Sequence, residues 1–241
     1  MSTLEAAFAA AEPAIAAHLA SIEQYAAALE SLGAEPPPAP RWTQDWFPRL
    51  DAAAAYAMVR RFAPRRIVEV GSGHSTRFFS RAAADGATGT VLTAIDPAPR
   101  ATLAGLGIEL LKMRVQDAGV EPFARLADGD FLVIDSSHKM SPGSDVQLLI
   151  EQVLPALPAG VYAHFHDIFL PDDYPEAWGW RGYSEQRAVA PLLSSGDYAI
   201  QFASAWTLTR RKHLLERGVI SRLPLVPGAI ESSLWLRKMR A

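Results

Sequence analysis

The stretch that decides the fold is Arg66-Ile67-Val68-Glu69-Val70-Gly71-Ser72-Gly73-His74-Ser75-Thr76-Arg77-Phe78-Phe79. Its apolar, β-branched start reads as a short strand. Gly71 and Gly73 follow as a tight turn whose backbone N–H groups stay open to a ligand, and a helix starting near Ser75 or Thr76 points its positive dipole end at the same spot. Val91-Leu92-Thr93-Ala94-Ile95-Asp96 is a second apolar strand closed by a carboxylate, 25 residues after Gly71, where a ribose-binding acid belongs in a nucleotide fold. The pair predicts a Rossmann-like domain for an adenosine-containing cofactor.

Outward from this stretch, strands and helices alternate. The pattern predicts strands over 67–70, 90–95, 108–115, 130–135, 160–166, 197–205 and 232–238, with helices over 75–84, about 99–106, about 121–126, 144–157 and 184–194. Continuous apolar strands in repeated βα units imply an α/β fold, a mostly parallel sheet of about seven strands with helices on both faces. Thr207 to Gly228 joins the last two strands without one clear helix, which leaves their pairing free to depart from parallel.

Upstream, residues 3–32 read as one or two helices with apolar positions Leu4, Phe8, Ile15, Leu19, Ile22, Tyr25 and Leu29, Pro13 marking a break or a first turn. Gly33 fits a helix C-cap, and Pro36-Pro37-Pro38-Ala39-Pro40 is a stiff extended linker. The expected division is 1–40, a helical extension with its linker, and 41–241, the Rossmann-like domain. The extension packs on the core or on a second copy, making a homo-oligomer one expected partner state.

Length and charge narrow the functional classes. At 241 residues and 26.1 kDa the chain suits one α/β domain with extra elements. Its net charge of −3 and lack of a basic run argue against nucleic acid. No stretch approaches a membrane span, the N-terminus lacks signal-peptide character, and a cytoplasmic location is the default expectation. Without cysteines, any metal must use His, Asp, Glu or Asn.

In open α/β sheets the ligand lies beyond the carboxyl ends of the strands. Those ends read Glu69 with Gly71-Ser72-Gly73, Asp96, Gln116-Asp117, Asp135-Ser136-Ser137-His138 and His164-Phe165-His166-Asp167. Carboxylates at successive strand ends are costly unless something pairs with them, and a cationic or hydroxyl-rich ligand would do so.

Three phrases carry a resemblance. Ile67-Val68-Glu69-Val70-Gly71-Ser72-Gly73, Ala94-Ile95-Asp96 and Asp128-Gly129-Asp130-Phe131-Leu132-Val133-Ile134-Asp135 are similar to the first motif, second strand and fourth strand of class I S-adenosylmethionine-dependent methyltransferases. With Ile134-Asp135-Ser136-Ser137-His138 and His164-Phe165-His166-Asp167-Ile168-Phe169, the chain most resembles the methyltransferase domain 24 branch, over roughly residues 64 to 205. The resemblance implies S-adenosylmethionine as cofactor. It assigns the methionine end to Gly71, Ser72 and Gly73 with Glu69 alongside, the ribose to Asp96 and the adenine to Gln116 and Asp117. Ser75 stands where many members carry a third glycine and can cap the helix with Thr76 beside it.

The resemblance also implies that Asp135, His138, His166 and Asp167 converge, in an arrangement similar to that of catechol-type O-methyltransferases. Asp135 and His138 are the expected catalytic residues, His138 as base. Asp135, His166 and Asp167 are the expected ligands of a divalent ion such as Mg²⁺ or Mn²⁺, with a strand-end polar pocket without metal as the alternative. His164 reads as structural. Alternation along the strand sets Asp167 on the face opposite His166, although strand ends bend.

Phe169 to Gly182, rich in proline, aromatics and acids, reads as a functional loop or as a surface loop packed on its own rings. Tyr174, Trp178, Trp180 and Arg181 from this loop, and Trp42 and Trp46 from the aromatic run after the linker, are the expected contacts of a small-molecule substrate. The favoured function is O-methylation of a small hydroxylated molecule. A catalytically silent cofactor-binding module and an NAD(P)-dependent oxidoreductase are the competing classes, the latter opposed by Arg77 where a dinucleotide fingerprint needs its third glycine.

Overall fold

The computed structural model describes residues 3–240. Three helices open the chain, α1 (Thr3–Ala10), α2 (Glu12–Glu23) and α3 (Ala26–Ser31), followed by α4 (Arg49–Phe62). The alternating part then runs β1 (Arg66–Val70), α5 (His74–Gly86), β2 (Val91–Ile95), β3 (Glu109–Leu111), α6 (Val115–Ala118), β4 (Phe131–Ile134), α7 (Asp145–Leu148), α8 (Leu154–Ala156) and β5 (Tyr162–Phe165). It ends with α9 (Glu185–Ser194), β6 (Tyr198–Ala203), α10 (Ser204–Arg210) and β7 (Leu234–Lys238). A π turn over Leu149–Val153 joins α7 to α8 as one widened helix.

The seven strands form one sheet in the order β3-β2-β1-β4-β5-β7-β6, parallel except for β7, which runs antiparallel to both its neighbours. The chain starts at β1 and moves outward to β3, then returns to β4 on the other side. Between β1 and β4 lies the switch point where an open α/β sheet leaves a crevice. The inner strands β4 and β5 are buried along their whole length, as expected when helices cover both faces.

Helix α4 is buried continuously from Leu50 to Val59, between α2 on one side and α5 on the other. Five of its side chains are alanines, which let a helix be enclosed on all sides at close interaxial distance. The apolar stripe of the N-terminal helices is spent within the chain: Phe8, Ile15, Ile22 and Leu29 are all buried, and the Phe8 ring lies 5.4 Å from that of Trp206. Pro13 sits in the first turn of α2, where its missing N–H costs no hydrogen bond.

Four expected elements change. Residues 3–31 form three helices where one or two are expected. No helix forms over 99–106; Pro97 and Pro99 interrupt the segment, and Gly105 and Gly107 adopt positive φ of 92° and 68°. The helix expected over 121–126 is a single 3₁₀ turn, Glu121–Phe123. The third strand shrinks from 108–115 to Glu109–Leu111 because it pairs only with β2 at the sheet edge, and α6 begins at Val115. No helix among the described residues is long and apolar enough to cross a membrane.

Candidate active site

At the end of β1 the chain turns so tightly against β4 that a side chain at Gly71 has no room. A Cβ there would lie 1.9 Å from the Asp135 carbonyl oxygen, and φ is +82°. The turn is then pinned from β2: Asp96 Oδ2 accepts from Ser72 N and Ser72 Oγ, both at 2.8 Å, and its Oδ1 accepts from Ala98 N at 2.8 Å. Thr76 Oγ1 accepts from Gly73 N at 2.9 Å and so caps the start of α5. Beneath the turn, fully buried Glu69 accepts from Ser75 Oγ at 2.5 Å through Oε1, while its Oε2 is buried with no hydrogen-bond partner. Burial, with the neighbouring Asp135 and Asp96 charges, pushes the Glu69 carboxyl up to about 8.

The ends of β4 and β5 build a second cluster from residues far apart in sequence. His138 takes φ +59° and Asp167 φ +56°, left-handed conformations that swing both side chains inward. His138 Nδ1 lies 2.8 Å from Glu185 Oε2, and its Nε2 lies 3.3 Å from Asp135 Oδ1 and 3.6 Å from Asp167 Oδ2. The amides of Ser184 and Glu185 both donate to the His138 carbonyl, so α9 is bolted to the turn that presents the imidazole. His166 Nδ1 lies 3.4 Å from Asp167 Oδ1 and 3.6 Å from Asp135 Oδ1, while its Nε2 turns to Asp51 at 3.1 Å. Asp51 in turn accepts from the amides of Ser232 and Ser233, both at 2.9 Å.

The charges follow from this geometry. Burial alone would lower the His138 imidazole, but Asp135, Glu185 and Asp167 outweigh it and hold it well above its ordinary range. Burial opposes His166 in the same way, and Asp167, Asp135 and Asp51 raise it. Burial would raise the Asp135 carboxyl, yet His166 and His138 hold it below the usual carboxylate range. His164 lies outside this network; burial takes its imidazole down to about 3, and its Nε2 lies 2.9 Å from Ser233 Oγ. The expected face alternation between His166 and Asp167 is broken by the left-handed turn at Asp167, so both reach the cluster.

A cavity of about 740 Å³ joins the two constellations. Gly71, Ser72, Gly73, Ser75, Asp96 and Gln116 line one half, and Asp135, His138, His166 and Asp167 line the other. Trp46, Trp178, Arg181 and Tyr183 also line it.

Residues 68–168 match the model of the methyltransferase domain 24 family, described as a methyltransferase domain. The middle of this chain is thus similar to a methyltransferase domain. The structure is similar to that of the Podospora anserina methyltransferase PaMTH1 bound to S-adenosylhomocysteine, at 15% identity over 92% of this chain and 87% of that one, with a TM-score of 0.51. The O-methyltransferase TomG of Streptomyces achromogenes gives 15% identity, 92% and 89% coverage and a TM-score of 0.48. An O-methyltransferase of Bacillus cereus gives 14%, 92%, 90% and 0.47. No curated protein matches the chain.

The predicted cofactor residues fall into two sets. Gly71, Ser72, Gly73, Ser75, Asp96, Gln116 and Asp135 line the cavity; Glu69 and Thr76 support the turn from behind, and Asp117 is exposed and paired with Arg114 at 2.8 Å. These groups fit S-adenosylmethionine: a side-chain-free approach at Gly71 and a strand-end carboxylate at Asp96, with Gln116 on the same cavity. The expected metal set fits less well. Asp135, His166 and Asp167 are neighbours, but imidazole–carboxylate pairs use their polar atoms, and no group of three or more His, Asp or Glu among the described residues is arranged to hold a metal ion.

The predicted substrate contacts also divide. Trp46, Trp178 and Arg181 line the cavity. Trp42 does not: it is buried against Phe78 with ring centroids 5.1 Å apart, and its Nε1 donates to the Leu29 carbonyl. Trp180 is 81% exposed outside the cavity lining, and the Tyr174 hydroxyl accepts from Gln186 N. Asp51 and the Ser232–Ser233 amides escaped the sequence reading. The available signal was an acid one and four residues from buried Leu50 and Ala55 on the inward stripe of α4.

Proposed function

We propose that this S-adenosylmethionine-dependent methyltransferase O-methylates a small hydroxylated molecule, with His138 and Asp135 at the point of transfer. The observation that supports this reading most is that His138, backed at Nδ1 by Glu185 at 2.8 Å, lines the same cavity as the Gly71 turn. S-adenosylmethionine, when bound, supplies an electrophilic methyl group on a sulfonium. Gly71, Ser72 and Gly73 would hold its amino-acid end, Asp96 its ribose and Gln116 the adenine side. Glu185 accepts the Nδ1 proton of His138 and thereby fixes the tautomer whose Nε2 lone pair faces the acceptor.

In this reading the neutral imidazole would take the acceptor hydroxyl proton at Nε2 and Asp135 would orient the hydroxyl, so that the methyl passes to the oxygen as its bond to sulfur breaks and S-adenosylhomocysteine is the leaving group. Because the carboxylates raise the His138 pKa, the neutral base becomes populated only above its ordinary value of 6.5. Transfer of labelled methyl from S-adenosylmethionine to a panel of phenols, followed against pH, tests the proposal. The native enzyme should show kcat/KM rising with pH through a limb above 6.5, and His138→Gln should lose about 10²- to 10⁴-fold in kcat while still binding S-adenosylhomocysteine. Unchanged turnover in that variant would remove His138 from the chemistry.

A further inference from the structure

Two cations that line the cavity, Arg181 and Lys139, have no carboxylate within hydrogen-bond distance among the described residues. Arg181 lies face-on to Trp178, with its guanidinium carbon 4.0 Å from the ring centroid, and 5.4 Å from that of Tyr183. A stacked guanidinium offers ligands its edge, not its face. Only Nη1 is engaged, donating to the Tyr183 hydroxyl at 3.2 Å and lying 3.9 Å from Asp167 Oδ2. Among the described residues, Nε is buried with no hydrogen-bond partner and Nη2 makes no hydrogen bond. An unpaired buried donor of this kind costs stability unless something outside the chain completes it.

A second cation stands beside it. Lys139 lines the same cavity, and its Cε lies 3.9 Å from where a side chain on Gly182 would begin. Its ammonium makes no ion pair among the described residues, whereas the arginines of the same cavity are occupied: Arg114 by Asp117, and Arg100 over the Trp46 ring at 4.6 Å. The acids on this side are already engaged, Asp135 and Asp167 by the two imidazoles and Asp145 by Ser137. The flat surfaces nearby are aromatic: Trp178 and Tyr183, the latter with its ring 4.6 Å from that of His138.

Taken together, these features lead us to propose that the acceptor is an aromatic hydroxy acid, its ring held against Trp178 and Tyr183 and its carboxylate on the free edge of Arg181 with Lys139 beside it. The inference rests on the O-methyltransferase reading and names the substrate class of that same site. A fork-shaped guanidinium edge matches a carboxylate through two parallel N–H···O bonds. With the carboxylate so placed, the ring hydroxyl is directed inward to His138.

Calorimetric titration of the S-adenosylhomocysteine-saturated protein with a dihydroxybenzoate and with the matching dihydroxybenzamide tests this. The acid should bind on the order of tenfold or more tightly than the amide. Arg181→Gln should remove most of that preference, Lys139→Gln a smaller part, and both variants should keep native affinity for S-adenosylhomocysteine. Equal binding of acid and amide, a preference that survives in the Arg181→Gln/Lys139→Gln double variant, or no binding of either compound to protein that holds S-adenosylhomocysteine would overturn the proposal and leave the methyltransferase reading standing. Failure of the native protein to bind S-adenosylhomocysteine at all would overturn both.

Discussion

The two halves of the cavity are built by different means. Around Gly71 the parts are local: a turn with no room for a side chain, a helix capped by Thr76, and one carboxylate, Asp96, returning from the adjacent strand. Around His138 the parts come from α4, the ends of β4 and β5, the start of α9 and the approach to β7, tied by Asp51, Glu185 and Ser232. The first half is a backbone cradle and the second a buried charge network. A cradle tolerates loss of single side-chain hydrogen bonds, whereas a network left half-paired strands a charge in the interior.

The largest expected contrast is in stability. Asp51→Ala removes the partner of His166 Nε2 and the acceptor of two buried amides, and should cost about 3–5 kcal/mol in denaturant unfolding. Ser72→Ala in the cradle deletes one hydroxyl bond to Asp96 and should cost about 0.5–1.5 kcal/mol. Similar costs for the two would erase the distinction between the halves.

Glu69 sharpens the comparison from the cradle side, as its one buried titrating acid. Its folded pKa, about 8, lies above the ordinary 4.5, so the native state keeps a proton that the unfolded chain releases between those values. Its contribution to stability is therefore full below about pH 4.5 and declines as pH rises toward 8, by about 1.4 kcal/mol per pH unit. Glu69→Gln should flatten that decline, so that the variant gains on the native protein at the alkaline end and not at the acid end. A native stability curve with the same slope as the variant would place the Glu69 carboxyl near its ordinary value.

The smallest expected effect concerns the network half. Its imidazole–carboxylate pairs are self-contained, so exhaustive chelation should leave methyl transfer unchanged. Activity lost on chelation and restored by one divalent ion would show that the ion reorganises the network into a ligand set.

The same contrast explains what the sequence made legible. The cradle is encoded within one contiguous stretch and a strand 25 residues on, so its strand, turn, helix and acid could be read directly. The mostly parallel sheet of about seven strands followed from the same periodicity; the strand order, with its reversal between β1 and β4, did not, and the connection from Thr207 to Gly228 only left the last pairing open. Where prolines and positive-φ glycines dominate, between β2 and β3, apolar spacing suggested a helix that the backbone does not permit. The network could be read only in part. Asp135, His138, His166 and Asp167 advertise themselves by position at strand ends, but Asp51 lies 115 residues from His166 and Glu185 lies 47 from His138, and no local pattern reports either pairing. Trp42 illustrates the converse, an aromatic in a suggestive run whose indole is consumed by the core against Phe78.

The central claim, that the Gly71 turn and Asp96 form the cofactor cradle of a methyltransferase, is tested most directly by calorimetric titration of the native protein and Asp96→Ala with S-adenosylhomocysteine and with NAD. Saturable, micromolar-range binding of S-adenosylhomocysteine to the native protein is expected, with none of NAD, and Asp96→Ala should weaken the former by roughly tenfold to a hundredfold while unfolding as a cooperative native protein. Binding of NAD in place of S-adenosylhomocysteine, or undiminished S-adenosylhomocysteine binding in the variant, would contradict it.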